Sequence, residues 1–254
     1  MIQARGSNNM NAKMKYADQW EKSSEYFHSN GEYQWMVDNI RKYEVVLEVG
    51  CGSGYGTLEL LRNRHKVISI ENNEYCLEQA KNKIENEGFI VNTDMTEFNN
   101  SDVVLINSDI TDASILDQFR NCKIGVVICW NVGSYWSEEM ATRYLSKLLS
   151  YGLTLEQIKE NPESSYAELV IWSTLSTAKK LKASTQIIER VGRKLIKEDR
   201  DYYRLLRKDF AYKNVKFNQK MTKALSKGGR MLSVQGNPQN VDELDIYLTS
   251  IMFK

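Results

Sequence analysis

Proline is nearly absent, with two residues in a chain of 254. That leaves no room for a Pro-rich linker or an extended stalk. Histidine is as scarce, present only as His28 and His65. The four cysteines, Cys51, Cys76, Cys122 and Cys129, form no C-x-x-C pair. With so few histidines to complete a ligand set, no metal site is expected. Cys129 lies in an apolar run and reads as a small buried hydrophobe, and a reduced, cytoplasmic chain is the expectation. Apolar runs reach only about five residues, as in Val126 to Trp130. A membrane helix needs roughly 20, so no membrane partner is expected. The opening MIQARGSNNMNAK carries no apolar stretch of the kind a secretory signal requires. Residues 1–14 read as a polar, flexible tail. A net charge is missing too: 34 basic against 33 acidic side chains leave +1.

That balance hides two opposed segments. Residues 179–230 hold 17 basic and 5 acidic side chains, whereas residues 1–178 hold 16 basic and 25 acidic. An anionic partner would therefore meet the later segment, and a cationic one the earlier.

The local patterns alternate between strand and helix. Residues 15–43 read as helical pieces broken at Asn30 and Gly31, with Met36, Val37, Ile40 and Tyr43 on one side of the second piece. Val45 to Val49 is a β-branched apolar run stopped by glycine, as expected of a buried parallel strand. Thr57 to Arg64 reads as a helix, Val67 to Ile70 as a strand, Asn73 to Glu87 as a charged helix, and Gly88 to Ser101 as a polar loop. Strands follow at Val103 to Ile106 and Gly125 to Trp130. His65, in a basic turn, is expected at the surface. Ser137 to Leu149 reads as a helix, and Ser164 to Lys182 as another opened by Asn161-Pro162-Glu163. Gln186 to Glu189 is a strand, Tyr202 to Phe210 a helix, and Val215 to Lys220 a strand turned at Lys227-Gly228-Gly229 onto Met231 to Gln235. Leu244 to Phe253 closes the chain as a strand. This order predicts a doubly wound α/β sheet, mostly parallel, with an antiparallel C-terminal edge strand.

One segment carries chemistry: Glu48-Val49-Gly50-Cys51-Gly52-Ser53-Gly54, between a strand and a helix. Glycines there allow a sharp turn and close approach of backbone to a ligand, and the helix N-terminus adds free N–H groups. A dinucleotide fingerprint would need a glycine at Tyr55 or Thr57, and a phosphate-binding loop would need G-K-[ST]. Neither is present. What stands there is an acid two residues before G-x-G-x-G, with Glu71 ending the next strand at the roughly 20-residue spacing of a ribose-binding acid. Asp109 ends the third strand.

This set resembles the class I S-adenosylmethionine-dependent methyltransferases over about residues 30–150. Ile124 to Asn131 is similar to that family's fourth-strand motif, and Tyr16-Ala17-Asp18-Gln19-Trp20 to the aromatic cap before its fold. The resemblance implies a Rossmann-like methyltransferase sheet in one domain, 15–254, with a helical cap over 15–43 and the substrate side in 179–230. It implies S-adenosylmethionine as cofactor. Gly50, Cys51, Gly52, Ser53 and Gly54 would pass under its methionine part, and Glu48 would orient the loop or a water near its amino group. Glu71, followed by Asn72, would accept from both ribose hydroxyls. Asp109 and Ile110 would meet the adenine, Trp130 and Asn131 would lie near the sulfonium, and Tyr16 and Trp20 would cap the site. Asp109 has a second reading, as the N-cap of a helix from Ile110.

Methyl transfer from a sulfonium is an in-line displacement that chiefly needs positioning. A base is needed only where the acceptor must lose a proton. His28, Asn131 and Tyr135 are the candidates for the acceptor side, His28 also reading as a packed helix-end residue. The run Trp130 to Trp136 departs from the D/N-P-P-[YF] pattern of nucleic-acid amino methyltransferases. Three functions remain open: methyl transfer to an O or N atom of a small molecule or peptide, RNA methylation through the basic segment with its interleaved aromatics, and a non-catalytic cofactor-binding module. A monomer and a homodimer are equally open.

Overall fold

The computed structural model describes residues 2–130, 138–234 and 237–254. Eight strands form one sheet: β1 (Val45–Val49), β2 (Lys66–Glu71), β3 (Val91–Asn92), β4 (Val103–Asn107), β5 (Val126–Trp130), β6 (Ser184–Val191), β7 (Val215–Leu225) and β8 (Glu243–Phe253). Their order is β3-β4-β2-β1-β5-β6-β8-β7. From β3 to β6 all pairings are parallel, and β8 runs antiparallel to both β6 and β7. The C-terminal edge of the sheet is thus antiparallel, as the alternation of elements predicts. The closing strand sits one place inside it, covered by β7.

β1 lies centrally because all five of its residues are buried. Its alternation feeds two cores. Val46, with Val67, Val126 and Ile128, packs under α1 (Ile2–Ser29), α2 (Glu32–Asp38), α3 (Tyr55–Arg62) and α4 (Glu74–Asn86). Leu47 and Val49, with Ile68, Ile70, Val127 and Cys129, pack on the other face. There they meet α5 (Glu138–Ser150), α6 (Leu155–Glu160) and α7 (Pro162–Lys180). Asn161 caps α7 by accepting from the Ser164 amide, with Pro162 in the first turn, so the Pro-opened helix forms where the sequence places it. A third cluster joins Ile187, Ile251 and Phe253 to Tyr203 and Leu206 of α8 (Asp201–Asp209).

Several local expectations are corrected. The helix α1 takes in most of the expected tail, and Lys13 is tied down at both ends. Its ammonium meets Glu74 at 2.9 Å and its carbonyl accepts from Asn73 Nδ2 at 3.1 Å. His65 is buried rather than on the surface, 5% exposed. Arg64 adopts φ 65° before it, and the His65 ring then meets the Tyr43 carbonyl at 2.6 Å through Nδ1. Burial lowers its pKa. Met231 to Gln235 is not the partner of β7. That partner is β8, whose eleven residues pair with Val215–Leu225 throughout, because the apolar run ending in Phe253 needs a strand on each side. Ser233–Val234 pairs instead with Asn237–Pro238, and Gln235 lies outside the described residues. The polar segment 88–101 holds the short strand β3 and a 3-10 turn at Met95–Asn100.

The turn after β1 explains two of its glycines. Gly50 has φ 79° and faces open space, whereas Gly54, with φ 87°, presses on α4: a Cβ there would stand 2.7 Å from Ala80 Cα. Gly54→Ala should therefore cost about 2–5 kcal/mol, dihedral strain plus overpacking, and Gly50→Ala only about 1–2. Urea unfolding of both variants checks this; equal losses would mean that Gly54 serves its dihedral angle alone.

Candidate functional site

A cleft opens at the carboxyl ends of the central strands, where ligands bind in sheets of this kind. Counting the open space at its mouth, it encloses about 910 Å³. Its floor is the glycine turn, through Gly50, Cys51 and Gly52. The turn hangs from β2, since the Gly50 amide donates to the Ile70 carbonyl at 2.8 Å. Nothing lies within 4 Å of where a Cβ would stand on Gly50 or Gly52, so a ligand can lie directly on the backbone.

Glu71 ends β2 and is buried at the cleft wall. Oε2 accepts from the Gly52 amide at 3.0 Å and Oε1 from the Asn73 amide at 2.9 Å. A carboxylate offers about four lone-pair sites. The Asn72 amide also acts on this carboxylate, and the acceptor capacity that remains faces the cleft, where a ligand's hydroxyls could donate to it. Burial raises the Glu71 pKa, against the pull of the Asn73, Gly52 and Asn72 amides.

Glu48 lies buried near the carboxyl end of β1. Oε2 accepts from Thr57 Oγ1 at 2.6 Å. Oε1, Tyr33 and Trp130 all lie 3.3 Å from where a Cβ would stand on Gly56, so this carboxylate oxygen sits among the aromatics of the cleft. Burial pushes the Glu48 pKa up from 4.5 to about 7, with the Thr57 and Ser69 hydroxyls opposing.

Asp109 follows β4, and its carboxylate is already well supplied. Oδ1 accepts from the Thr111 amide at 2.8 Å, and Oδ2 from the hydroxyls of Tyr144 at 2.5 Å and Tyr166 at 2.6 Å, with Asn72 Nδ2 at 3.4 Å. Burial alone would raise its pKa, but these donors hold it below the ordinary value. The helix expected from Ile110 does not form. Asp109 closes a turn on Thr111, and Asp112 caps a 3-10 turn over Ala113–Phe119.

Of the residues singled out in the sequence, Tyr16, Trp20, Glu48, Gly50, Cys51, Gly52, Glu71, Asn72, Asp109, Ile110 and Trp130 line this one cleft. Ser53 and Gly54 do not reach it. Ser53 is buried with its hydroxyl unpartnered, and Gly54 packs on Ala80. His28 is also elsewhere: it stacks on Tyr55 at 5.1 Å and meets Arg62 at 3.4 Å and Glu59 at 3.8 Å. Asn131 and Tyr135 lie outside the described residues. Pattern reading passed over Ser24, Tyr33, Gly56, Cys76, Tyr166 and Val170, which also line the cleft, beside Val49, Ile70 and Ser108 at the strand ends. Tyr166 and Val170 come from α7, and only tertiary packing brings that helix to the site. Gly56 was legible, as one more glycine in the same run.

The basic segment is partly spent on local pairs. Arg193 meets Asp199, Arg204 meets Asp201, Lys220 meets Glu32 and Lys223 meets Glu243. Tyr203 and Tyr212 are buried in the third core cluster, with Phe210 and Phe217 packed against it. Tyr202, more exposed, donates to Glu168. Among the described residues no group of three or more His, Cys, Asp or Glu side chains could hold a metal ion, and no helix is long and apolar enough to cross a membrane.

Comparison with known proteins gives the following. Residues 46–151 match the family model described as a methyltransferase domain. A 50-residue stretch is 46% identical to a protein-L-isoaspartate O-methyltransferase of Petrotoga mobilis, covering 20% of this chain and 24% of that protein. The chain thus spans about a quarter of the curated relative it matches. Similar solved structures include a magnesium protoporphyrin IX methyltransferase of Synechocystis PCC 6803 with bound SAM. It is 15% identical, with a TM-score of 0.43 over 87% of this chain and 76% of that one. TehB of Haemophilus influenzae is 14% identical, with a TM-score of 0.46 over 91% of this chain and 67% of that one.

The Glu48 carboxyl carries a pH signature. Its folded pKa stands above its unfolded one, so its stabilising contribution is complete below pH 4.5 and lost as the pH rises through about 7. Glu48→Gln, which keeps the neutral shape, should match the wild type near pH 5. It should exceed it by about 2–3 kcal/mol at pH 8.5, from 1.36 kcal/mol per pKa unit. Urea midpoints at the two pH values measure this, and a gap that does not change with pH would contradict it.

Proposed function

We propose that this chain, whose residues 46–151 match a methyltransferase-domain model, is a class I S-adenosylmethionine-dependent methyltransferase that moves a methyl group to an O or N atom of a small molecule or peptide. The observation that carries the reading is the Glu71 carboxylate, held by two backbone amides with acceptor capacity to spare, beside a turn whose glycines are open to a ligand.

The residues present fit the cofactor's chemistry. Two buried carboxylates, Glu48 and Glu71, face the cleft and suit a ligand that carries positive charge. Tyr16, Trp20, Tyr33 and Trp130 supply aromatic rings around them, surfaces that attract a cation. The Gly50–Gly52 backbone would bear the methionine part, with Glu48 near its ammonium. Glu71 would take the ribose hydroxyls. Ile110 would pack on the adenine, while Asp109, occupied by Tyr144, Tyr166 and Thr111, holds that wall in shape. Bound there, S-adenosylmethionine supplies an electrophilic methyl group on a sulfonium.

The chain's part in the reaction is then placement. Aromatic walls exclude water and fix the approach, and alignment of this kind supplies roughly 7–11 kcal/mol of rate enhancement in favourable cases. His28, bonded on the far side of α3, takes no part in this reading.

Titration calorimetry with S-adenosylmethionine tests it. Hydrogen bonds to a charged acceptor are worth about 1.5–3 kcal/mol each, so Glu71→Ala, which removes two, should weaken binding by about two to four orders of magnitude. The variant's circular dichroism and melting temperature must show an intact fold. Transfer of a labelled methyl group into an extract, fractionated into RNA, peptides and small molecules, names the acceptor class. Binding that Glu71→Ala leaves unchanged would refute the cofactor placement, and label in the RNA fraction alone would overturn the acceptor class.

A further inference from the structure

Among the described residues, one cation near the cleft, Arg190, has no carboxylate partner. Arg190 lies on β6, two residues beyond Ile188, which pairs with the last residue of β5, Trp130. Strand alternation sends Glu189 to one face and Arg190 to the other. Glu189 goes to the α8 side, where it accepts from the Tyr203 hydroxyl. Arg190 goes to the α1 side, where its guanidinium stands 4.8 Å over the ring of Trp20. Its Nη1 is sealed from solvent and makes no hydrogen bond. The titratable groups that face it are the neutral phenols of Tyr33 and Tyr16 and the guanidinium of Arg230. Tyr16, Trp20 and Tyr33 all line the cleft.

Arg230 reaches the same wall from the turn after β7. Its guanidinium lies 4.7 Å from the Tyr16 ring, 3.3 Å from Gln19 Oε1 and 3.8 Å from Glu163, and its amide donates to Ser23 Oγ. Two guanidiniums thus stand behind the aromatic wall, each stacked on one of its rings. Burying a charge without a partner is costly, and a planar donor fork left empty is matched by a carboxylate or phosphate.

We propose that Arg190, supported by Arg230, forms the anion subsite of the acceptor pocket, so that the methylated substrate carries a carboxylate or phosphate group. This rests on the methyl-transfer reading above. It also makes these two residues, rather than the paired charges of 193–223, the part of the basic segment that meets substrate. Position favours the acceptor over the cofactor's own carboxylate: Arg190 extends from a strand two places along the sheet from β1, whose glycine turn forms the cofactor floor.

The test uses the full chain and the variants Arg190→Gln and Arg190→Lys. Succinate and inorganic phosphate, at constant ionic strength, should raise the melting temperature of the wild type and not of Arg190→Gln. S-adenosylmethionine affinity should stay within about twofold. Labelled methyl transfer should enter the anion-exchange-retained pool of an extract and fall roughly tenfold to a hundredfold in Arg190→Gln, with partial recovery in Arg190→Lys. No stabilisation by either anion overturns the subsite, and so does label confined to the unretained pool. A tenfold loss of S-adenosylmethionine affinity with unchanged binding of 5′-methylthioadenosine would reassign Arg190 to the cofactor's carboxylate and overturn the acceptor role. A wild type that binds no S-adenosylmethionine and labels no pool refutes the methyl-transfer reading instead, and the anion titration then decides the subsite by itself.

Discussion

The Glu71 carboxylate holds two backbone amides at once, Gly52 on the turn after β1 and Asn73 at the head of α4. Much of the cleft depends on that double grip. A turn with Gly50, Gly52 and Gly54 all at positive φ has few conformational restraints of its own. Pinning its middle to the end of the neighbouring strand fixes where α3 starts and where the floor lies. Asn73 continues the chain of restraint: its side chain caps α4 through the Tyr75 amide and reaches the Lys13 carbonyl on α1. One buried acid thus links the floor, one wall and the overlying helix.

Electrostatics divides the site along the same lines. Acids line the proposed cofactor side of the cleft, where Glu48 and Glu71 are both pushed towards their neutral forms by burial. Such groups are costly when empty and gain from a cationic ligand. Across the aromatic wall the sign reverses, at Arg190 and Arg230. The aromatic rings serve both sides, since Trp20 faces the cleft and also carries the guanidinium of Arg190.

Legibility followed the range of the interactions. The parallel strands, the glycine turn, Glu71 and the Pro-opened α7 depend on short-range signals, which pattern and capping chemistry report well. His65 was misplaced because its burial depends on the Tyr43 carbonyl, 22 residues away. The partner of β7 was misplaced for a related reason. A turn at Lys227–Gly229 suggests a local hairpin, whereas the apolar closing strand outcompetes it by bringing a longer and better-packed ladder. Asp109 was legible as a residue but not as a partnered one, because Tyr144 and Tyr166 reach it from α5 and α7.

By itself the sequence determined the sheet class, the turn and the acidic strand ends, since these need only residue type at fixed spacing, while the proposed cofactor follows from the family resemblance that those residues carry. It also showed an excess of positive charge in 179–230. Which of those charges could face a ligand was decided by the tertiary structure alone. Strand alternation sets Glu189 and Arg190 on opposite faces, and local carboxylates neutralise Arg193, Arg204, Lys220 and Lys223. The packing of α1 then places the Trp20 ring beneath the guanidinium of Arg190, whose Nη1 is buried and unpaired. Charge is a property of composition, but its availability depends on which neighbours the fold brings within a few ångströms.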